Sequence, residues 1–144
     1  MKNRMIVIIL AIFPTICFAN QWVVVASKNF PLNEISEQDL KSVYVGRIQR
    51  LNGSLVKPIH QAPQTPAFQI FSQNVLGKRP YQVVQQLMLR YLSGRGLAPA
   101  FGADDRQLVE WLVRIPHSLG YINTSSMTGS LKSLLTIKED IPLK

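Results

Sequence analysis

Residues 104–122, DDRQLVEWLVRIPHSLGYI, decide the fold because they combine one amphipathic helix with one buried strand. Asp104 is a favourable N-cap, and Pro116 cannot continue a helix. Between them, four apolar residues recur at the spacing of one helix face, and they are Leu108, Trp111, Leu112 and Ile115. Residues 119–122 then predict a short strand. A helix that is followed directly by a strand is typical of a layered α/β fold.

Further strands are predicted on both sides of this unit. Residues 22–27 form a continuous, mostly β-branched run, which is typical of a strand buried on both faces. Asn52 and Gly53 predict a tight turn, and residues 55–60 predict a second strand after it. Residues 131–137 fit either a strand or a short helix.

Three further helices are predicted from their first residues and their apolar spacing. Ser36 caps the first, Thr65 followed by a proline caps the second, and Pro80 opens the third. The expected inner faces are Leu40, Val43 and Tyr44 in the first helix, Phe68, Phe71 and Val75 in the second, and Val84, Leu87, Met88 and Tyr91 in the third. The alternation of strands and helices predicts one α/β domain with a small mixed sheet flanked by helices.

Residues 1–19 have the pattern of a secretory signal peptide. Two cations precede a nine-residue apolar run, and the small residues Cys17 and Ala19 occupy positions −3 and −1 of a cleavage site. A membrane anchor is the alternative, but the apolar stretch 5–19 is shorter than the roughly 20 residues of a spanning helix. We therefore predict cleavage near Ala19, a folded domain at residues 20–144, and a periplasmic or secreted location.

Cleavage changes what the composition implies. The chain has 144 residues and a net charge of +8, and removing nineteen residues that carry two cations leaves 125 residues and a charge of +6. The single cysteine lies in the predicted leader. The mature chain then has no disulfide, thiolate metal site or cysteine nucleophile, and its stability must come from one hydrophobic core.

No motif indicates catalysis or metal binding. The two histidines, His60 and His117, are far apart in the sequence and are predicted to be surface or loop residues rather than metal ligands. The carboxylates of Asp104 and Asp105, like the 139–140 pair, are sequence neighbours and cannot face each other across a substrate. No Gly-x-Ser-x-Gly elbow is present. We predict that the chain is not an enzyme and needs no cofactor.

The positive charge favours an anionic partner, but not nucleic acid. The cations follow or separate the predicted helices without forming a dense stripe with exposed aromatic residues, and a signal peptide would separate the protein from nucleic acid. Residues 60–66 form a polar loop that leads into a helix N-terminus, where free amides and the helix dipole attract small anions. A simple capping role for Thr65 is the alternative interpretation.

Five segments, in order, resemble the PstS-like phosphate-binding proteins of ABC transporters. They are residues 35–48, 52–59, 71–77, 93–99 and 113–122, of which the last, with Leu-Gly-Tyr-Ile at 119–122, is the most specific. Full-length members are longer and close two lobes around phosphate. The resemblance implies a single periplasmic-binding-protein-like (type 2) domain, no catalysis, and phosphate or another small anion as ligand. The implied partner is an ABC transporter permease or an envelope protein.

The resemblance also implies a ligand site at the predicted helix start. Its candidate residues are Thr65, Gln64, Ala67, Phe68, His60 and Arg95. In phosphate binders this loop carries an arginine and a Ser-Gly-Thr run, whereas here the glycine is missing and His60 or Gln61 replaces the arginine. A neutral side chain lacks the charged fork that favours phosphate. The alternative function is therefore a protein-interaction module that has kept the lobe and lost the ligand.

Overall fold

The computed structural model of the protein describes residues 21–138, so the predicted signal peptide and the 139–140 carboxylates lie outside the described residues. The helices of this range are α1 (Glu37–Tyr44), α2 (Pro66–Ile70), α3 (Pro80–Leu92) and α4 (Asp105–Arg114). A π-helical turn, Phe71–Val75, follows α2. Within the described range, none of the helices is long and apolar enough to cross a membrane. The strands are β1 (Trp22–Ser27), β2 (Arg50–Leu51), β3 (Ser54–Leu55), β4 (Lys57–Pro58), β5 (His60–Gln61), β6 (Phe101–Gly102), β7 (Ser118–Asn123) and β8 (Leu131–Ile137).

The main sheet is small and mixed, as predicted. Its strand order is β4-β7-β1-β8, with β1 antiparallel to both of its neighbours and β4 parallel to β7. β2 and β3 form a separate hairpin across the predicted turn at Asn52 and Gly53, and β5 pairs in parallel with β6. The central strands β1 and β7 are almost completely buried.

Helices cover both faces of the main sheet. On one face, α1, α2, α3 and the π-helical turn form a large core that includes Trp22, Val24, Leu40, Tyr44, Phe68, Phe71 and Val83. On the other face, α4 forms a smaller core that includes Val23, Val25, Leu108, Leu112 and Ile122. Alternate residues of β1 enter opposite cores, because successive side chains of a strand point to opposite faces. The prediction of a strand buried on both faces is confirmed.

The outer strand β8 contains a β-bulge. Consecutive residues of β1 pair with Leu135 and Ser133, which leaves Leu134 as the extra residue. The carbonyl of Leu134 accepts a hydrogen bond from the Ile35 N–H, just before α1. The bulge changes which side chains of β8 point to each face of the sheet. Leu131 therefore packs in the α4 core, and Leu134 packs in the opposite core. The ambiguous segment 131–137 is therefore a strand.

The strand predicted at residues 55–60 is not continuous, which corrects the prediction. Its residues are divided among β3, β4 and β5, which pair with β2, β7 and β6. Between these pairings, the Val56 N–H donates to Gln49 and the Ile59 N–H donates to Leu119, each at 2.9 Å. The segment is extended throughout but changes its partner, because different parts of the fold lie beside it.

The predicted helix caps are confirmed. The side chains of Ser36, Thr65 and Asp104 each accept a hydrogen bond from the backbone N–H three residues later, at 3.1, 3.2 and 2.9 Å. These bonds satisfy N–H groups that lack a partner within the helix.

The inner face predicted for α3 is partly wrong. Val83 is buried, and Val84 and Leu87 are half-buried against the core, but Met88 and Tyr91 are 41% and 47% exposed. The helix packs on the π-helical turn through a narrow stripe in its first half. Its C-terminal half presents apolar side chains to solvent.

Candidate functional site

The start of α2, where the anion site was predicted, is an internally hydrogen-bonded turn. The Thr65 hydroxyl accepts from the Phe68 N–H at 3.2 Å and donates to the Ala62 carbonyl at 2.7 Å. The side chains of Ala67 and Phe68 are buried, and Gln64 is exposed. Since the first helical residue is a proline, the Ala67 N–H is the donor of this turn that remains available to a ligand.

His60 lies in the core, which corrects its prediction as a surface or loop residue. It is 3% exposed, and its ring packs at centroid distances of 4.8 to 6.0 Å against Tyr44, Phe68, Phe71, Phe101 and Tyr121. Its Nδ1 lies 3.1 Å from the Tyr121 hydroxyl, while Nε2 has no partner among the described atoms. Burial lowers the pKa of the His60 imidazole to about 3. The neutral ring offers no positive charge to an anion.

Two buried tyrosines connect this aromatic cluster to the strands. The Tyr44 hydroxyl lies 3.0 Å from the Ile59 carbonyl, and the Tyr121 hydroxyl accepts from the Gln61 N–H at 3.2 Å. Burial raises the pKa of both phenols above the ordinary value, so they remain neutral. The cluster therefore aligns β5 with the sheet.

Gln61, one of the two residues predicted to replace the arginine of phosphate binders, is also buried. Its amide nitrogen donates to the Asp105 carboxylate and, at 3.1 Å, to the Tyr121 carbonyl. The same carboxylate accepts from the Asn123 N–H and the Ser126 hydroxyl. Asp105 therefore joins α4 to β5 and β7 rather than acting only as a solvated residue of a helix start. The sequence contains no signal for these contacts, because the three partners of Asp105 lie on separate elements.

Arg95 belongs to a different group of residues. It is exposed just after α3, and its carbonyl accepts from the Arg90 guanidinium at 3.2 Å. Arg90 also donates to the Gly46 carbonyl at 2.8 Å, at the end of α1. The structure thus brings Gln64, Thr65, Ala67 and Phe68 together at one turn, buries His60 behind them, and places Arg95 with the ends of α1 and α3.

An apolar cavity of about 260 Å³ lies beside these helix ends. Residues 55–60 form one wall, and residues 96–100 form another. Most of the lining is apolar, and it includes Val43, Leu87, Leu97, Pro99 and Ile115. Leu97 is 83% exposed, so one large apolar side chain stands open to solvent next to the cavity.

A second depression, the cationic cleft, lies between α1 and α3 and has a volume of about 440 Å³. Its charged lining residues are Lys41, Arg47, Lys78 and Arg90, and Gln38 and Gln86 line it as well. Arg47, Lys78 and Arg90, which the sequence places in separate segments, thus line one cleft together with Lys41. In the sequence, the helical spacing of Gln38 and Lys41 in α1 was the one sign that two lining residues share a face.

No family model and no curated protein sequence matches the chain. Among solved structures, it is similar to a candidate phosphate ABC transporter substrate-binding protein with bound phosphate from Clostridium perfringens, with 13% identity and a TM-score of 0.63. It is also similar to PstS from Borrelia burgdorferi, with 14% identity and a TM-score of 0.61. A third similar structure is an ABC-type phosphate transport receptor from Vibrio cholerae, with 11% identity and a TM-score of 0.53.

Each of these matches covers 80% of this chain but 44%, 46% and 45% of the respective structures. The chain thus spans less than half the length of the proteins that it matches. At such low identity the likeness concerns the fold alone. The chain has a mixed α/β fold like that found in part of phosphate substrate-binding proteins.

Proposed function

We propose that the protein is a noncatalytic binding domain that acts outside the inner membrane, after cleavage near Ala19, and that binds phosphate or another small anion. The observation that carries this proposal is the likeness in fold to a substrate-binding protein with bound phosphate. The positive charge of the chain agrees with an anionic ligand. A transporter permease or another envelope protein would be its partner.

The proposed ligand residues lie at the start of α2. Gln64 and Thr65 supply polar side chains there, and the Ala67 N–H supplies a backbone donor. The Phe68 N–H already binds Thr65, and His60 is neutral and buried, so we assign both a supporting role in shaping the turn. Arg95, which lies with the ends of α1 and α3, is assigned no direct contact.

Phosphate binding is tested by calorimetric titration of the mature protein and of two capping variants. Thr65→Ala and Ser36→Ala each remove one N-cap and should lower the free energy of unfolding by a similar amount, about 1 kcal/mol. Only Thr65→Ala should weaken phosphate binding. If phosphate at millimolar concentration gives neither heat nor a thermal shift with the unmodified protein, the proposed ligand is wrong.

The second candidate function is a protein-interaction module, and the apolar cavity favours it. Leu97, which lines the cavity, is 83% exposed, and Leu89 and Leu92 in the last turn of α3 are 61% and 78% exposed. A partner could insert an apolar side chain into this region, in the way that interface hot spots fill pockets.

Leu97→Glu tests this second function because it places a charge beside the cavity. A membrane or envelope partner that copurifies with the unmodified protein should be lost with Leu97→Glu. It should be retained with Val113→Glu, a matched change at an exposed apolar residue of α4. Equal recovery with both variants would reject the cavity as the contact site, and phosphate binding should be unchanged in either case.

A further inference from the structure

The cationic cleft concentrates positive charge in a way that the fold itself does not require. Lys41 comes from α1, Arg47 follows α1, Lys78 precedes α3, and Arg90 lies in the last turn of α3. Among the residues that the structure describes, no aspartate or glutamate lines this cleft. Glu37 and Asp39 of α1 are not among its lining residues. Four like charges with no carboxylate in the cleft lining repel one another, and a bound anion would relieve this repulsion.

Helix dipoles explain only part of this arrangement. Cations at the C-terminal ends of α1 and α3 are favourable, which accounts for Lys41 and Arg90. Lys78 lies next to the N-terminal end of α3, where the helix dipole disfavours a cation. It is nevertheless half-buried in the cleft wall.

The cleft is too long for a single phosphate to contact all its cations. Lys78 precedes α3 and Arg90 lies ten residues after its first residue, Pro80, so at about 1.5 Å per residue the helix separates the two ends of the cleft by roughly 15 Å. The volume of about 440 Å³ corresponds to about 15 water molecules at roughly 30 Å³ each, which is more than one orthophosphate would fill. This is the size of a short phosphate chain such as tripolyphosphate.

Arg90 is held in place before any ligand arrives. Its guanidinium donates to the carbonyls of Gly46 and Arg95 at 2.8 and 3.2 Å. Gly46 permits this approach, since a Cβ atom there would lie 2.7 Å from the Arg90 Nε. A fixed cation loses little conformational freedom on binding, which favours affinity.

From these features we propose that the cationic cleft binds a soluble oligophosphate, a chain of two or more phosphoryl groups lying along α3 between Lys78 and Arg90. Gln38 and Gln86 supply neutral hydrogen-bond donors between the cations. This site is separate from the start of α2 and does not depend on the phosphate site proposed above.

The test is calorimetric titration of the mature protein with orthophosphate, pyrophosphate and tripolyphosphate at fixed ionic strength. We expect affinity to rise with chain length and tripolyphosphate to bind with one molecule per chain. The double variant Lys41→Gln/Lys78→Gln should weaken tripolyphosphate binding by about tenfold or more, because two charge-assisted contacts are lost. A matched control, Lys28→Gln/Arg106→Gln, removes the same charge from exposed positions outside the cleft and should change affinity less than about twofold, since salt screens distant charges.

Thr65→Ala distinguishes this site from the start of α2. It should leave tripolyphosphate binding unchanged, whatever it does to orthophosphate. Absence of tripolyphosphate binding, equal weakening by the two double variants, or loss of binding in Thr65→Ala alone would each overturn the proposal. Binding to vesicles that contain phosphatidylglycerol, without binding to soluble tripolyphosphate, would also overturn it. Circular dichroism of each variant verifies that the substitutions leave the fold intact.

Discussion

His60 links the aromatic core to pH. Because the imidazole has a pKa near 6.5 in an unfolded chain and about 3 in the folded protein, the unfolded state binds more protons between these values. The contribution of neutral His60 to the free energy of unfolding is therefore fully present above pH 6.5. It is lost as the pH falls toward 3, by up to about 1.4 kcal/mol per pH unit. Urea denaturation between pH 7 and 4 should show this slope.

Two histidine variants isolate the effect of burial. His60→Phe should reduce the slope of the free energy of unfolding against pH, because the variant lacks the one proton that His60 takes up on unfolding. His117→Asn, at an exposed residue whose φ of 56° asparagine tolerates, is the matched control because it removes a histidine outside the aromatic core. Parallel slopes for His60→Phe and the unmodified protein would contradict the assignment of a neutral, buried ring.

A second prediction at the scale of single residues concerns Gly46. Its φ of 79° disfavours any side chain, and a Cβ atom would also meet the Arg90 guanidinium. Gly46→Ala should lower the free energy of unfolding by more than the about 1–2 kcal/mol of a left-handed residue. Gly53→Ala, with a φ of 81° and open space around it, should show the backbone cost alone. Thermal unfolding of both variants checks the difference.

The residues that the sequence misjudged are those whose surroundings are built from distant segments. The caps at Ser36, Thr65 and Asp104 were predictable because their bonds are local. The burial of His60 was not, since its aromatic neighbours come from α1, α2, the π-helical turn, β6 and β7. When those neighbours are unknown, a polar residue at the end of a predicted strand is expected to be an exposed loop residue.

At the scale of elements, α4 packs so closely on the strands that one methyl group should disturb it. Leu108 is fully buried, and a Cβ atom on Gly120 of β7 would lie 3.0 Å from its Cδ2. Gly120→Ala should destabilise the protein by about 1–3 kcal/mol through overpacking. Gly129→Ala, which has open space around it, should change stability by less than about 0.5 kcal/mol. Urea denaturation measures both.

A double variant tests the cause. Leu108→Ala makes a cavity, and the added methyl of Gly120→Ala would partly fill it, so the two changes together should cost less than their sum. Strict additivity would show that Leu108 is not the group that Gly120 accommodates.

The type of an element was predictable where the same face or faces of the element are buried along its whole length. β1 and α4 follow their apolar patterns throughout. β8 does not follow a regular strand pattern, because the bulge at Leu134 reverses its buried face. Its buried residues Leu131, Leu134 and Ile137 are therefore three positions apart. That spacing resembles a helix, and only the partner strand shows that it is a bulged strand.

For the whole molecule, the two cores on opposite faces of the sheet should act independently. Leu40→Ala in the α1–α3 core should cost about 2–5 kcal/mol, and Ile122→Val in the α4 core about 0.5–1.5 kcal/mol. Since the sheet separates these side chains, the double variant should equal the sum within about 0.5 kcal/mol. A larger coupling, measured by chemical denaturation, would show that the sheet transmits repacking between its faces.

The layered architecture was predictable for the whole molecule, whereas its surface was not. Alternating strands and helices indicated an α/β fold with helices on both faces, and the fold likeness agrees. The cationic cleft could not be predicted, because Lys41 and Lys78 are far apart in the sequence and line one cleft only in the folded chain.

The bulge in β8 also bears on self-association. A regular outer strand offers an uninterrupted row of backbone donors and acceptors, along which a second molecule can add its own strand. In β8 this row is interrupted at Leu134, whose carbonyl is already occupied by Ile35, and the bulge twists the strand locally. We therefore expect the protein to resist edge-to-edge polymerisation even when it is concentrated.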